Sequence, residues 1–216
     1  MASLRPHQFP DLQIERLYAA ECGVAWVAGV DEAGRGALAG PVFAAAVILP
    51  LEEIDDFTPL REVRDSKLLS PAVRERLFDL ICANATAYGI GSASAEWIDH
   101  HGIMGATRKS MNEAVGGLVP AAQAVLVDGP LRLIGGNLPQ RPVVRGDIHS
   151  LTIAAASILA KVSRDRYMIA LGEQFPRYGF ERHKGYGTAK HLAALGRLGP
   201  CPEHRRSFAP IRATLF

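Results

Sequence analysis

Val24-Ala25-Trp26-Val27-Ala28-Gly29-Val30-Asp31-Glu32-Ala33-Gly34-Arg35-Gly36-Ala37-Leu38-Ala39-Gly40-Pro41-Val42 is the stretch around which the rest of the chain is organised. An apolar run of strand type stops at two adjacent carboxylates and turns through Gly-Arg-Gly. It then re-enters a second apolar run, Phe43 to Leu49, bounded by Pro41 and Pro50. The short spacing predicts a hairpin-like antiparallel pair. Two ionised carboxylates side by side repel each other unless a cation lies between them, so Asp31 and Glu32 read either as a metal site or as a solvated turn.

Segments further along the chain bear on that choice. Tyr88 to Ser94 alternates as a third strand and closes a meander with the first two. Ala124-Val125-Leu126-Val127-Asp128-Gly129-Pro130 repeats the opening logic, a short buried-type run that stops at an acid, and Arg141 to Asp147 repeats it more weakly. The long crossovers read as helical, so these later strands are expected parallel to the first. At the carboxyl ends of neighbouring parallel strands, side chains converge on one crevice. Asp31, Asp128 and Asp147 would then meet, which raises the metal reading above the turn reading. Successive strand residues face opposite ways, so Asp31 and Glu32 can share one ion only if the strand ends or bulges there, and Gly34 and Gly36 offer such an ending. Oxygen-only donors select a hard cation, Mg²⁺ or Mn²⁺, over zinc.

Four helices are expected around these strands. The first begins at Pro10-Asp11 with Asp11 as its N-cap, offers Leu12, Leu17 and Tyr18 as an apolar face, and ends at Gly23. A second is capped by Ser70, carries Pro71 in its first turn and turns Val73, Leu77, Phe78 and Ile81 to the core. Between Ile98 and Leu118 the residues Ile103, Met104, Thr107, Met111, Val115 and Leu118 recur at helical spacing, and the Met stripe reads as core. The Ala-rich helix from Ser150 to Met168 can pack closely on a sheet and is tipped with positive charge by Lys161, Arg164 and Arg166.

Two loops carry chemistry of their own. Ser66 and Lys67, just before the Ser70 cap, are either a phosphate grip or part of a solvated loop. In His183-Lys184-Gly185-Tyr186-Gly187-Thr188, Tyr186 can lie against a base or sugar while Lys184 meets a phosphate. The tail His204-Arg205-Arg206-Ser207-Phe208 is basic with an aromatic, and the acidic segment Glu52 to Asp56 reads as a surface loop.

Composition bounds the rest. A chain of 216 residues with 48% hydrophobic and 21% charged residues suits one large soluble domain. The formal charge of +2 does not by itself announce a nucleic-acid partner. Of the 24 basic residues five are Lys, and the Arg excess fits bidentate phosphate contacts or a codon bias equally. Cys22, Cys82 and Cys201 lie far apart with no Cys-x-x-Cys pair, which signals neither zinc nor a disulfide framework. With no signal-peptide core near Met1 and no apolar run of membrane length, the expected location is cytoplasmic.

Taken together in order, Gly29 to Gly36, Asp65-Ser66-Lys67, Val127-Asp128-Gly129, Gly146-Asp147, the helix from Ile153 to Val162, His183 to Thr188 and His204 to Phe208 resemble bacterial ribonuclease HII over about residues 24 to 212. The resemblance implies an α/β, ribonuclease H-like fold: a five-stranded mixed sheet, three antiparallel strands then two parallel, flanked by helices. It also implies one catalytic domain over 1–216 with a small helical C-terminal extension from about 175. Only 28 residues precede the first motif, which leaves no room for the additional N-terminal domain of the related ribonuclease HIII.

By position, the resemblance assigns Asp31, Glu32, Asp128 and Asp147 to a two-metal catalytic site using Mn²⁺ or Mg²⁺. Gly34, Arg35 and Gly36 match the element that recognises a ribose 2′-hydroxyl, and Tyr186 matches a tyrosine that packs on the adjoining sugar. Lys67, Lys161 and Lys184, with Ser66 beside them, match phosphate-contacting positions. The implied activity is endonucleolytic hydrolysis of RNA in RNA–DNA hybrids and at single ribonucleotides in duplex DNA, by a monomer that touches no membrane. Three departures stand out: Ala37 in place of Pro, Gly102 in place of a substrate-contacting Asn, and Ile148-His149, where His149 is either a proton-transfer group or a surface histidine. Outside this reading remain a DNA-directed nuclease or strand transferase of the same fold, and a non-catalytic hybrid-binding protein.

Overall fold

Strand β1 (Val27–Ala33) lies inside one mixed sheet with β2 (Val42–Ile48), β3 (Ala87–Ala93), β4 (Ala124–Asp128) and β5 (Gln140–Val143), in the spatial order β3-β2-β1-β4-β5. The structure, a computed structural model, describes residues 9–51, 58–133 and 137–214, so the acidic segment Glu52 to Asp56 lies outside the described residues. β1 and β2 run antiparallel from Ala28↔Ile48 to Ala33↔Phe43, and β3 continues the meander against β2. β1 and β4 are parallel, as are β4 and β5. The helices are α1 (Gln13–Cys22), α2 (Pro71–Asn84), α3 (Ala95–Gly116), α4 (Gly146–His149), α5 (Leu151–Gln174), α6 (Phe180–His183), α7 (Ala189–Leu198) and α8 (Ala209–Arg212).

Strand alternation decides which helix covers which face. Ala33, Ala45 and Val47 point to α5, whose Ala154, Ala155, Ile158 and Leu159 also meet Leu77 and Ile81 of α2. Ala28, Val30, Ala44 and Ala46 point the other way, against Met111 and Ala114 of α3. Small residues let α5 approach very closely. A Cβ on Gly29 would lie 2.3 Å from the backbone nitrogen of Ile153, so only glycine fits at that crossing. Ser70 caps α2 as expected, its Oγ accepting from the Val73 amide, and Pro71 fills the first turn.

Several local expectations are corrected. β1 does not stop at the acids: it runs through Asp31 and Glu32 to Ala33, in unbroken register with β2 and without a bulge. Leu12, not Asp11, occupies the N-cap position of α1 and makes no side-chain cap bond; the Asp11 carboxylate, one residue earlier, accepts from the Gln13 amide at 2.9 Å. Leu17 of that helix is 60% exposed, while Glu15 is fully buried on the face that meets the start of α5. Val73 and Phe78 of α2 are only half-buried. In α3 the Met stripe divides: Met111 is buried but Met104 is 40% exposed. The cause is Gly102, whose φ of 74° and ψ of 161° interrupt the helix and reset its phase. β5 ends at Val143, and Asp147 sits in the short helical turn α4 rather than at a strand end.

Candidate active site

At the carboxyl edge of the sheet β1 and β4 part company. Their parallel pairing ends at Val30↔Val127, yet β1 stays paired with β2 as far as Ala33, so the crevice opens where Asp31, Glu32 and Asp128 emerge. Asp31 and Glu32, neighbours on a regular strand, leave opposite faces of the sheet at the edge where it splits, and both border the crevice without a bulge. Arg145 closes the circle from the other side. Its left-handed backbone (φ 55°, ψ 44°) turns the chain so that the Gly146 amide donates to Asp128 Oδ1 at 2.7 Å, and Asp147 follows directly.

The four acids share one electrostatic neighbourhood. Asp31, 7% exposed, is pushed well above the usual carboxylate range by burial, then by the charges of Glu32 and Asp128 and, more weakly, Asp147. The Glu32 amide, donating to its Oδ1 at 2.7 Å, pulls it down. Burial also raises Glu32, against the Arg35 guanidinium whose Nη1 donates to Oε1 at 2.9 Å. Asp147 is raised by burial, Asp65 and Asp128, and opposed by Lys67, whose Nζ lies 3.6 Å from its Oδ2. Among the described residues, no three His, Cys, Asp or Glu side chains are already gathered at coordinating distance. The donor set nonetheless fits a hard divalent ion. It consists of oxygen only, it is largely dry, and its mutual repulsion is the kind that a bound cation relieves.

The Gly34-Arg35-Gly36 turn borders this crevice. Gly34 has φ +93°, and a Cβ there would lie 1.9 Å from Arg164 Nε, whereas Gly36 is exposed with open space on its Cβ side. Arg35 reaches back to Glu32 and also sends Nη2 to Met104 Sδ at 3.4 Å. Two arginines hold the turn from beneath. Arg164 donates from Nε to Pro41 O at 2.9 Å and from Nη2 to Ala39 O at 3.1 Å. Arg205 donates from Nε to Gly40 O and from Nη1 to Arg35 O, both at 2.9 Å. Both side chains are fully buried, so reading Arg164 as helix-tip charge and Arg205 as basic tail is corrected. The available signal was the Gly/Pro-rich loop itself, whose carbonyls need donors from elsewhere.

The remaining predicted residues divide into two groups. Lys67 joins the acids, bridging Asp147 and Asp65, and Ser66 is buried beneath it with its carbonyl accepting from Arg74 Nη1 at 2.9 Å. Lys161, Lys184 and Tyr186 lie together next to the 34–41 loop, whose Leu38 amide donates to Gly185 O at 2.8 Å. The Tyr186 ring has Arg164 Cζ at 5.3 Å and Lys161 Nζ at 5.8 Å from its centroid. Burial pushes the Lys184 ammonium down. Beside this loop His183, His191 and His204 pack together, with the His183 ring stacked on His191 at 4.3 Å. His191 Nδ1 donates to Tyr186 O at 2.9 Å, and its Nε2 accepts from His204 Nε2 at 3.1 Å. Burial, then the neighbouring His191, pushes His204 down to about 4. His149 is exposed.

The sheet order and the split between β1 and β4 are those of a ribonuclease H-like fold, and the family match makes the chain a nuclease, a phosphodiester hydrolase. The family model for ribonuclease HII matches residues 28–211, and the chain belongs to that family. It is similar to ribonuclease HII of Roseiflexus castenholzii, with 52% identity over 204 residues, 94% of this chain and 89% of the relative. The crystal structure of ribonuclease H2 from Pyrococcus horikoshii OT3 superposes with a TM-score of 0.73 at 26% identity, covering 88% of this chain and 96% of that one. Bst-RNase HIII in complex with Mn²⁺ shares the fold, with a TM-score of 0.70 at 19% identity over 95% of this chain and 74% of that one. Divalent-metal dependence belongs to the family. Among the described residues no helix is long and apolar enough to cross a membrane.

Proposed function

We propose that this enzyme is an endoribonuclease that hydrolyses the RNA strand of RNA–DNA hybrids and incises at single ribonucleotides embedded in duplex DNA, as ribonucleotide removal requires. The observation that carries the proposal is the juxtaposition of four carboxylates with the Gly34-Arg35-Gly36 turn at one sheet edge. Asp31, Glu32, Asp128 and Asp147 would hold two divalent ions, Mn²⁺ or Mg²⁺. Such ions offset the charge of the phosphodiester and activate the attacking water. Cleavage then leaves a 3′-hydroxyl and a 5′-phosphate.

The protein's own part is selection and placement. Discrimination between RNA and DNA rests on the 2′-hydroxyl, and the backbone of the turn is free to meet it because the Cβ side of Gly36 is open. Tyr186, half-exposed and backed by Arg164, offers a flat face to the adjoining sugar. Lys67, Lys161 and Lys184 flank that path with positive charge for the phosphates, and Ser66 supports Lys67. Residues 1–216 act as one catalytic unit, a cytoplasmic monomer, with the helices after about 175 as its extension. Asp31→Asn is expected to lower the rate on a duplex carrying one ribonucleotide at least about 10²-fold. Near wild-type cleavage by that variant in Mn²⁺ contradicts the assignment. Cutting of an all-DNA control would indicate a DNA nuclease, and metal-independent binding without cleavage a non-catalytic binder.

A further inference from the structure

We infer that Arg35 and Lys67 are the resident counterions of the carboxylate cluster and exchange acid for phosphate when divalent ions and nucleic acid arrive. Each of the four acids has a nearest compensating group. Asp31 and Asp128 each accept a backbone amide at 2.7 Å, from Glu32 and Gly146. Glu32 and Asp147 are matched instead by side-chain cations, Arg35 Nη1 at 2.9 Å and Lys67 Nζ at 3.6 Å. The amides belong to the fold and cannot leave. The cations can: their side chains are 40% and 79% exposed and sit on flexible stems, so releasing them costs little.

The exchange rests on the functional reading above, in which these same two residues face the substrate. Without metal, the cations keep the cluster from carrying its full negative charge. An arriving divalent ion competes with them for the same oxygens and repels them, which frees both for phosphate. Linkage is reciprocal: whatever metal binding does to the availability of these cations for nucleic acid, nucleic acid does to metal affinity. Removing one cation should therefore tighten metal binding in the absence of nucleic acid while weakening nucleic-acid binding in its presence. A single charge roughly 6 Å from a divalent ion in a water-like medium corresponds to about tenfold in affinity.

The test is calorimetric titration of nucleic-acid-free protein with Mn²⁺. Lys67→Met and Arg35→Gln are each expected to bind Mn²⁺ about five- to tenfold more tightly than wild type at low salt, a gap that narrows at high salt. Lys109→Met, which removes an ammonium paired with Glu113 at 2.8 Å on α3, should match wild type. Equal or weaker binding by Lys67→Met and Arg35→Gln, with binding abolished in Asp31→Asn, overturns the exchange and leaves the four-acid site standing. Indistinguishable Mn²⁺ binding by wild type and Asp31→Asn overturns both.

Discussion

Gly34→Ala places a methyl group inside Arg164. The added Cβ would lie 1.9 Å from Nε, 2.4 Å from Cδ and 2.7 Å from Cζ of that side chain. Arg164 is fully buried and held by the carbonyls of Pro41 and Ala39, so it has no free direction in which to yield. Two costs add. Holding a non-glycine residue at φ +93° is worth about 1–2 kcal/mol. Displacing the guanidinium forfeits at least one hydrogen bond from a charged donor, about 1.5–3 kcal/mol. The sum of about 2.5–5 kcal/mol lowers the melting temperature by roughly 5–20 °C for a chain of this size. Gly36→Ala is the internal control, since no atom lies within 4 Å of its added Cβ and its φ is not left-handed. Its melting temperature should stay within about 1 °C of wild type, while cleavage at a ribonucleotide falls because the methyl occupies the open side of the turn. Thermal denaturation by circular dichroism, paired with a cleavage assay, reads both. A Gly34→Ala protein that melts within 2 °C of wild type would refute the view that Arg164 pins the turn.

Two further expectations concern charge. Asp31 is raised by burial and by neighbouring acids, so folding favours its protonated form, and the stability this contributes is lost as pH rises through its folded value. At neutral pH the metal-free cluster is therefore destabilising, and Asp31→Asn should melt higher than wild type in EDTA even though its cleavage is expected to slow; an equal or lower melting temperature contradicts this. His204 runs the opposite way. Its folded value of about 4 lies below the ordinary 6.5, so below pH 6.5 the unfolded chain takes up a proton that the folded one refuses. Up to about 3 kcal/mol should be lost between pH 6.5 and 4. Urea denaturation across that window should show a shallower slope for His204→Gln, and identical slopes would exclude His204 as the source.

What was legible in the sequence was what local pattern encodes. Apolar runs bounded by Gly and Pro marked the strands of the meander, and acids at the ends of the β1 and β4 runs marked the crevice, because both signals lie within a few residues of each other. Asp147 belonged to the crevice for a different reason from the expected one: the left-handed Arg145 turns the chain after β5, and nothing in an Arg-Gly dipeptide announces that. Met104 was misplaced because a single Gly102 resets the phase of α3. Nothing local marks Glu15 of α1 as buried: the hydroxyls of Ser150 and Thr152 and the Thr152 amide, 135 to 137 residues away, donate to its carboxylate.

Arg164 and Arg205 carry that point furthest. A charge is read as surface unless something buries it, and here the partner is the backbone of residues 35–41, more than 120 residues distant in each case. The dependence is mutual. A Gly/Pro-rich loop has few regular partners for its carbonyls, and a guanidinium has more donors than an exposed position uses. The segment after α5 adds its own backbone to the same loop: the Gly40 amide donates to Glu203 O, the Arg205 amide to Leu38 O, and the Leu38 amide to Gly185 O. The turn that borders the acids is thus held in place by the opposite end of the chain. The helices after α5 brace the turn as well as extend the surface, and the acids and the turn keep their relation only while that brace is folded.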